Sequence, residues 1–317
     1  MSTQPTTQEV TGGGPKAAPP GKPAKKAPLS EGAKAERRLG FLLCAPAVIV
    51  MIAITAYPIG YAVYLSLERY DLRFPDAAKF IGIDNYTTVL TSGYWWHAFV
   101  VTIIIMVVSV AIELVLGMAI AVLMHRTPFF RGPIRTAVLV PYGIVTVVAA
   151  FSWQFAWTPS IGYLAGLSGG APLTQTTSAI AIIILAEVWK TTPFMALLLM
   201  AGLSLVPEDL QKAAKVDGAT AWQRMVRITI PLMKPAILVA LLFRSLDAFR
   251  IFDNIYILTN GAHNTGSVSI LGYDNLFTAL NLGVGSAISI LIFICTAIIS
   301  FIFIKLFGTA APGQEAK

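Results

Sequence analysis

The segment VPEDLQKAAKVDGATAWQRMVRITIPLMKP, residues 206–235, lies between two long apolar runs and carries the charges and turn signals that those runs lack. Pro207 suits the first turn of a helix, where its missing N–H would have no partner. Glu208 and Asp209 favour the positive end of the helix dipole. Gly218 can take the left-handed conformation that reverses a chain after a helix. The segment therefore predicts a short helix that ends in a turn at Gly218.

A second short helix is predicted over 220–228, because its apolar and polar side chains fall on different faces. Pro231 is predicted to end this helix, and Pro235 to open the next apolar run. On physical grounds alone the segment is either a folded loop that projects from the membrane or an amphipathic linker on the lipid surface. The small residues that would let the turn sit close in a groove are Ala213, Ala214, Gly218 and Ala219.

The composition around this segment is that of a membrane protein. Hydrophobic residues make up 56% and charged residues 12% of the 317 residues, with a mean hydropathy of +0.72. A water-soluble domain carries roughly 25% charged residues, so soluble, disordered and collagen-like classes are excluded. We predict an all-α polytopic membrane protein with six transmembrane helices of about 20 residues or more. The predicted spans lie near 40–67, 98–124, 136–157, 178–203, 235–258 and 284–304.

The predicted domain organisation follows from these spans. Residues 1–37 are rich in Pro, Gly, Lys and Ala, and are predicted to be a disordered basic tail. Residues 38–310 form the six-span domain, with 207–231 as its folded loop, and 311–317 form a second tail. The two cysteines, Cys44 and Cys295, lie in apolar runs and form no disulfide framework.

The distribution of basic residues predicts the orientation. If the N-terminus is cytoplasmic, 17 of the 23 Lys and Arg residues lie in cytoplasmic segments and three in external loops. Both termini and the 207–231 loop are therefore expected in the cytoplasm, with the chain in the inner cell membrane. This asymmetry also explains the net charge of +7 without a nucleic-acid partner. The external basic residues are Arg69, Arg73 and Lys79.

The 206–235 segment resembles the EAA loop of ABC-importer permeases, which reads Glu-Ala-Ala, three residues, Gly, nine residues, then Ile-x-Leu-Pro. Here Lys212-Ala213-Ala214 precedes Gly218, and Ile228-Thr229-Ile230-Pro231 follows. Lys212 replaces the usual Glu and Ile230 the usual Leu. The resemblance implies that the loop couples to an ATPase through residues in and around its turn. Those residues are Ala213, Ala214, Asp217, Gly218, Ala219 and Pro231.

Three further stretches resemble the carbohydrate permeases of this family. They are FIGIDNYTTVL at 80–90, VLVPYGIVTVVAAFSWQFAW at 138–157 and FRSLDAFRIFDNIYILTNG at 243–261. The resemblance implies a type I ABC-importer architecture and import of a carbohydrate, with a disaccharide such as trehalose as the expected substrate. It also implies a second permease subunit, a dimer of ATP-binding subunits that holds ATP and Mg²⁺, and an external sugar-binding lipoprotein. No cofactor is expected on this chain.

Charged residues inside the spans need partners, since a charge in mid-bilayer costs at least ~2.5–3.5 kcal/mol. Arg244 and Asp247 lie three residues apart on one helix face and are predicted to pair, as are Glu187 and Lys190. Glu113 stands alone in the second span, so it is either protonated or paired with an arginine of another span; pairing is favoured.

The candidate substrate path combines polar groups with aromatic rings, which suits a neutral sugar because rings stack on its C–H faces and polar groups bind its hydroxyls. A purely structural pair between Arg250 and Asp253, and an interfacial belt role for the tryptophans, remain alternatives. The candidate path residues are Gln154, Trp157, Arg250, Asp253, Asn254 and Tyr256.

Two other classes of function remain open at this stage. A secondary transporter would use Glu113, Asp247 or Asp253 to carry a proton. A membrane enzyme would need an acidic pair or a metal motif on a loop, and the aspartates of loop 68–97 lack such a pattern. No catalytic residue and no metal ligand is predicted.

Overall fold

The computed structural model describes residues 31–126, 131–168 and 170–308. The chain divides into two compact units, Met1–Tyr57 and Pro58–Lys317. The described part of the first unit is the beginning of a long apolar helix, whose side chains are exposed along most of its length from Arg38 onward. The second unit holds the rest of that helix and all the elements discussed below.

The spans are long helices, as the sequence predicts. Within the described ranges, five helices are long and apolar enough to cross a membrane, and a bent pair of shorter helices gives a sixth span if the pair is counted as one. The long helices are α1 (Glu31–Ser66), α3 (Gly93–Arg126), α7 (Thr176–Leu203), α10 (Ile230–Phe249) and α13 (Leu282–Gly308).

The shorter elements lie between the long helices or at breaks in them. They are β1 (Glu68–Arg69), a 3₁₀ turn (Pro75–Ala77), β2 (Lys79–Phe80), α2 (Asp84–Thr91), α4 (Arg131–Gly143), α5 (Thr146–Trp157), α6 (Ala165–Ser168), a 3₁₀ turn (Pro172–Thr174), α8 (Glu208–Val216), α9 (Ala221–Arg224), a π turn (Met225–Thr229), α11 (Asp253–Leu258), α12 (Val268–Tyr273) and a π turn (Asp274–Thr278).

The third span is bent, which corrects the prediction of one continuous helix over 136–157. Its two parts, α4 and α5, meet at 90°. Pro141 lies inside α4 and cannot donate a backbone hydrogen bond, and Gly143 ends the helix two residues later. Kinks of this size are typical of Pro and Gly positions. The bend places the corner at Ile144 and Val145, part-way along the span rather than at its end.

Two other predicted boundaries also change. α1 begins at Glu31, so the end of the predicted disordered tail is helical; residues 1–30 and 311–317 lie outside the described residues. The fifth span is not one helix over 235–258, because α10 stops at Phe249 and α11 starts at Asp253.

The core of the second unit forms where α7 packs on α3 and α10. At the crossing of α3 and α7, a Cβ atom added to Gly117 would lie 2.8 Å from Cγ of Met195. Only glycine allows this approach, and it brings polar groups of both helices within reach of each other. Three apolar clusters fill the space around these crossings; their fully buried members include Ile105, Ile183, Leu199, Met233, Ile255 and Ile288.

On the side opposite the 207–231 loop, β1 and β2 form an antiparallel hairpin that is tied to its surroundings by polar contacts. The side-chain amide of Asn85 donates to the carbonyl oxygens of Ser66 and Glu68, each at 2.8 Å. Arg73 binds the carboxylate of Asp71 through two side-chain nitrogens, and these hydrogen bonds lower the pKa of Asp71 to about 2. The pair therefore stays ionised at any physiological pH.

Candidate coupling loop and translocation site

The first helix of the 207–231 loop, α8, ends in the turn that the sequence predicts. Gly218 has a φ of +80°. The N–H of Ala219 donates to the carbonyl of Ala214 at 2.9 Å, and the N–H of Gly218 donates to Lys215 at 3.2 Å. These two bonds define a Schellman motif, which satisfies the last carbonyls of the helix. Gly218 thus reverses the chain by local geometry alone.

The second helix begins with a capping box that the sequence analysis missed. The hydroxyl of Thr220 accepts from the N–H of Gln223 at 3.3 Å, and the amide oxygen of Gln223 accepts from the N–H of Thr220 at 2.8 Å. The signal was present as Thr-x-x-Gln directly after the turn. The box fixes where α9 starts, four residues before the π turn.

Pro231 does not end this helix, which corrects the prediction. α9 continues through the π turn Met225–Thr229 into α10, and Pro231 lies in the first turn of α10. A π turn widens the helix by one residue per turn. It thereby opens the backbone just ahead of Pro231, where a regular helix would clash with the proline ring. The loop is therefore joined to the fifth span by continuous helix, not by a flexible linker.

The residues that the resemblance implies for coupling surround the turn. Ala213 and Asp217 are exposed, and Ala214 and Ala219 are half-buried. Lys212, which stands where the motif has Glu, lies 3.4 Å from Glu208 within its own helix. The turn therefore presents small side chains and backbone to the solvent.

A cluster of charged side chains lies between α3, α7 and α10, and all its members are buried except Asp247, whose side chain is 67% exposed. The guanidinium of Arg244 contacts three carboxylates: Glu113 at 2.5 and 2.9 Å, Glu187 at 2.9 Å and Asp247 at 2.5 Å. Arg244 and Glu113 are fully buried, and Thr191 donates to Glu113 at 2.8 Å. We call Glu113, Glu187, Arg244 and Asp247 the buried charge cluster. It confirms the predicted pairs of Arg244 with Asp247 and of Glu113 with an arginine.

The predicted pair of Glu187 and Lys190 is wrong. Glu187 instead accepts from Arg244 and, at 2.5 Å, from the side-chain amide of Asn254. The ammonium of Lys190 donates to the carbonyl of Ile144 at 2.8 Å, at the corner of the bent third span. Spacing along one helix suggested the pair, but a bent neighbouring span offers Lys190 an otherwise unpaired carbonyl.

The corner of span three, the middle of α7 and the break after α10 enclose a cavity of about 560 Å³, which we call the polar cavity. This volume lies in the range of small-molecule sites, roughly 300–1,000 Å³. Polar groups dominate its walls, although it lies between membrane spans. Its lining residues are Tyr142, Ile144, Val145, Thr146, Glu187, Lys190, Thr191, Asp247, Arg250, Ile251, Phe252, Asp253 and Asn254.

Of the six candidate path residues, Arg250, Asp253 and Asn254 line the polar cavity. Gln154 and Trp157 do not line it. Gln154 donates its side-chain amide to the carbonyl of Ile257 at 2.5 Å and so ties α5 to α11. Trp157 packs against the apolar cluster between α3, α7 and α11. The side-chain amide of Gln154 faces α11 because α5 lies against α11 after the bend, and the indole N–H of Trp157 is buried without a hydrogen-bond partner among the described residues.

Tyr256, the sixth candidate, lies outside the cavity in a contiguous row of aromatic rings. We call Phe252, Tyr256, Tyr273 and Phe277 the aromatic row. Neighbouring ring centroids lie 4.9 to 5.3 Å apart. A side-chain hydrogen bond with Tyr256 raises the pKa of Tyr273. The sequence analysis missed Tyr273 and Phe277, since nothing in their local pattern indicates that they reach α11.

Among the described residues, no three His, Cys, Asp or Glu side chains are placed to hold a metal ion. Glu113 and Asp247, two of the three carboxylates that a proton-driven transporter could use, are bound by Arg244. The arrangement combines a polar cavity between the spans, a buried charge cluster that contributes Glu187 and Asp247 to the cavity wall, and a loop joined to the fifth span by helix.

Comparison with known proteins identifies the class. Residues 113–310 match the family described as binding-protein-dependent transport system inner membrane component. This match covers more than half of the chain, and the chain belongs to this family. It is a multi-pass membrane protein and a permease component of a transport system, not a member of an enzyme family.

Individual relatives lie close in sequence. The chain is 64% identical to the trehalose transport system permease protein SugA of Mycobacterium tuberculosis over 283 residues, which cover 89% of this chain and 92% of the relative. It is 37% identical to the trehalose/maltose transport system permease protein MalF of Thermococcus litoralis over 278 residues, covering 85% and 94%.

The fold also matches a solved transporter. The structure is a bacterial ABC transporter involved in the import of the acidic polysaccharide alginate. The TM-score is 0.74 at 22% identity, with 87% of this chain and 98% of that chain covered. At this identity the match shows the fold, which is that of an ABC-importer permease.

Proposed function

We propose that this chain is one of two permease subunits of an ATP-driven importer in the inner cell membrane, and that the importer takes up trehalose. The observation that carries the proposal is the polar cavity at the break of spans three and five. A polar surface inside a membrane protein marks a water-filled path for a polar solute. The choice of trehalose rests on the 64% identical relative, whose substrate is named as trehalose.

The charges around the cavity favour a neutral solute. Glu187, Asp247 and Asp253 share the wall with Lys190 and Arg250, and Arg244 lies directly behind it in contact with Glu113. An ion of either sign would be repelled by the wall groups of like charge. Sugar hydroxyls can donate to the carboxylates and accept from the cations. Carboxylates, guanidinium and amide groups are the usual partners of such hydroxyls.

The 207–231 loop is the proposed contact with the ATP-binding subunits, which hold ATP and Mg²⁺. Its turn is fixed by the Schellman motif and the capping box, and its second helix continues into α10. A displacement of the turn therefore moves α10. Arg244 and Asp247 of α10 move with it, next to the polar cavity. Such a two-state element, biased by a ligand at a distant site, is how nucleotide binding would switch access to the cavity.

The proposed assembly has further partners on the other side of the membrane. The family description names a binding protein, and the loops opposite the 207–231 loop are where an external sugar-binding lipoprotein would dock. The distribution of basic residues supports a position outside the cell for those loops and a cytoplasmic position for both termini. The chain itself binds no nucleotide and catalyses no reaction.

The experiment that tests the function uses the whole complex. A tag on this chain should co-purify a second permease and an ATPase. In vesicles, trehalose with its binding protein should then stimulate ATP hydrolysis and uptake, with maltose as the comparison sugar. Stimulation by maltose alone would contradict the trehalose assignment. Transport by the chain without ATPase subunits, abolished by a protonophore, would contradict the importer.

The cavity can be tested in the same vesicles. Asp253→Asn should slow trehalose uptake, because Asp253 lines the polar cavity at the first turn of α11. Asp84→Asn is the matched control, since Asp84 also stands in the first turn of a helix but lies outside that cavity. Equal uptake by both variants and the wild type would remove Asp253 from the path.

A further inference from the structure

The aromatic row borders a second cavity, which the proposed transport site does not include. This cavity has a volume of about 340 Å³, and we call it the aromatic cavity. Phe252, Tyr273 and Phe277 of the row line it, together with the hydroxyl-bearing Ser269 and Ser289. It lies beside α12, α13 and the second π turn, on the side of the protein away from the 207–231 loop.

The two cavities share part of their walls. Arg250 and Phe252 line both the aromatic cavity and the polar cavity. These residues lie in the break between α10 and α11, so their backbone belongs to neither helix. A ligand that leaves the aromatic cavity therefore meets Arg250 and Phe252 before it meets Asp253 and Asn254.

The chemistry of the aromatic cavity differs from that of the polar cavity. Arg250 is the one charged residue among the described residues that line it, and the carboxylates of the polar cavity are missing from its wall. Most of the remaining wall is apolar, formed by aromatic faces with Leu276 and Ile292, and Ser269 and Ser289 add two hydroxyls. Rings stack on the C–H faces of a pyranose, while the hydroxyls and the guanidinium can bind its oxygens.

The row is held in place rather than attached to a loose loop. The π turn Asp274–Thr278 packs against α13, where a Cβ atom added to Gly285 would lie 2.5 Å from the side chain of Leu276. The glycine allows that close contact, and Leu280 after the turn has a φ of +56°. The turn leaves Phe277 66% exposed, while one contact of its ring is with Tyr273 in the same row. π turns are frequent at functional sites.

We propose that the aromatic row is a second sugar-binding subsite, which receives the incoming sugar ring by stacking and passes it to the polar cavity past Arg250 and Phe252. The subsite takes a neutral pyranose such as one half of a disaccharide. This proposal rests on the function proposed above. It adds a site to the path and assigns a role to Tyr273 and Phe277.

The test uses the reconstituted complex with its binding protein, radiolabelled trehalose and a trehalose derivative that carries a photoreactive diazirine. The variants are Phe277→Ala, which removes a ring, and Phe277→Trp, which restores one. Phe301→Ala is the matched control, because Phe301 is also 66% exposed and lies on α13 outside the row. Thermal unfolding of each variant shows that the fold is retained.

Uptake should fall about three- to tenfold in Phe277→Ala, as expected for the loss of one ring contact, and recover in Phe277→Trp. Phe301→Ala should match the wild type. The diazirine should label peptides that contain 252–256 and 273–277, and unlabelled trehalose should compete. Unchanged uptake in Phe277→Ala, or labelling that a fatty acid displaces and trehalose does not, would overturn the subsite. Failure of the wild-type complex to import trehalose would instead overturn the proposed function.

Discussion

Arg244 is fully buried, and its guanidinium is the shared partner of three carboxylates from three helices. Taking charges out of water is expensive, and the mutual attraction of such groups offsets that cost only while every partner is present. Removal of one partner leaves an uncompensated buried charge. The buried charge cluster therefore fixes the relative positions of α3, α7 and α10 behind the polar cavity.

Arg244→Met should destabilise the protein by about 3–5 kcal/mol, because Glu113 and Glu187 lose their cation. Glu113→Gln should cost less, since Arg244 keeps Glu187 and Asp247. The double variant should lose less stability than the sum of the two single losses, because the two residues contact each other. Thermal unfolding in detergent measures all three. Additive losses would show that the contact between Glu113 and Arg244 contributes little.

Gly218 has a positive φ, and a Cβ atom added there would meet no atom within 4 Å. A substitution therefore acts through the backbone alone. Asn tolerates the left-handed region, so Gly218→Asn should retain coupling at a cost of at most about 1–2 kcal/mol. Gly218→Pro should reduce sugar-stimulated ATP hydrolysis to the basal rate, since proline fixes φ near about −65°.

The assay for both Gly218 variants is ATP hydrolysis by the reconstituted complex with and without sugar-loaded binding protein. Co-purification of the ATPase with each variant separates loss of assembly from loss of coupling. Full stimulation in Gly218→Pro would mean that the turn does not transmit the nucleotide state.

At the scale of elements, the capping box decides where the second loop helix begins. α9 is four residues long before the π turn, so it has little stability of its own. Its start depends on the paired bonds between Thr220 and Gln223. Because α9 continues into α10, fraying at Thr220 would soften the mechanical link between the loop and the fifth span.

Thr220→Ala should remove about 1 kcal/mol of capping energy, so the amides of residues 221–223 should exchange about fivefold faster. Thr220→Ser keeps the hydroxyl and should exchange like the wild type. Hydrogen exchange with mass spectrometry on the complex gives both values. Equal protection in the alanine and serine variants would show that packing, not the cap, sets the helix start.

At the scale of the whole molecule, the distribution of Lys and Arg predicts which side of the membrane each loop occupies. Lys215 lies in the 207–231 loop and Ala262 in the loop that precedes α12, and both are exposed. The structure places these loops at opposite ends of the spans. Which end is cytoplasmic follows from charge alone.

Single-cysteine labelling tests that orientation in intact cells. With Cys44 and Cys295 changed to Ala, a membrane-impermeant maleimide should label Ala262→Cys and leave Lys215→Cys unlabelled. Lysed cells, in which both positions should react, serve as the control. Labelling of Lys215→Cys in intact cells would reverse the predicted topology.

The sequence by itself determined the features that depend on neighbouring residues. Spans of sufficient length, the turn at Gly218 and the pair of Arg244 and Asp247 each follow from a composition, a conformational preference or an i, i+3 spacing. These preferences act within one turn or one helix. They hold whatever the helix packs against, and for that reason the number of spans and the form of the loop were predictable.

The tertiary structure alone decided which groups meet across spans. Glu187 binds Arg244 and Asn254 rather than Lys190, and Lys190 binds the corner at Ile144, because a 90° bend brings that corner to α7. Tyr273 reaches the aromatic row only through the packing of α12 beside α11. Contacts of this kind join residues far apart in the chain and depend on the directions of several helices at once. No local pattern encodes them, so the cavities and the path past Arg250 become visible only in the folded protein.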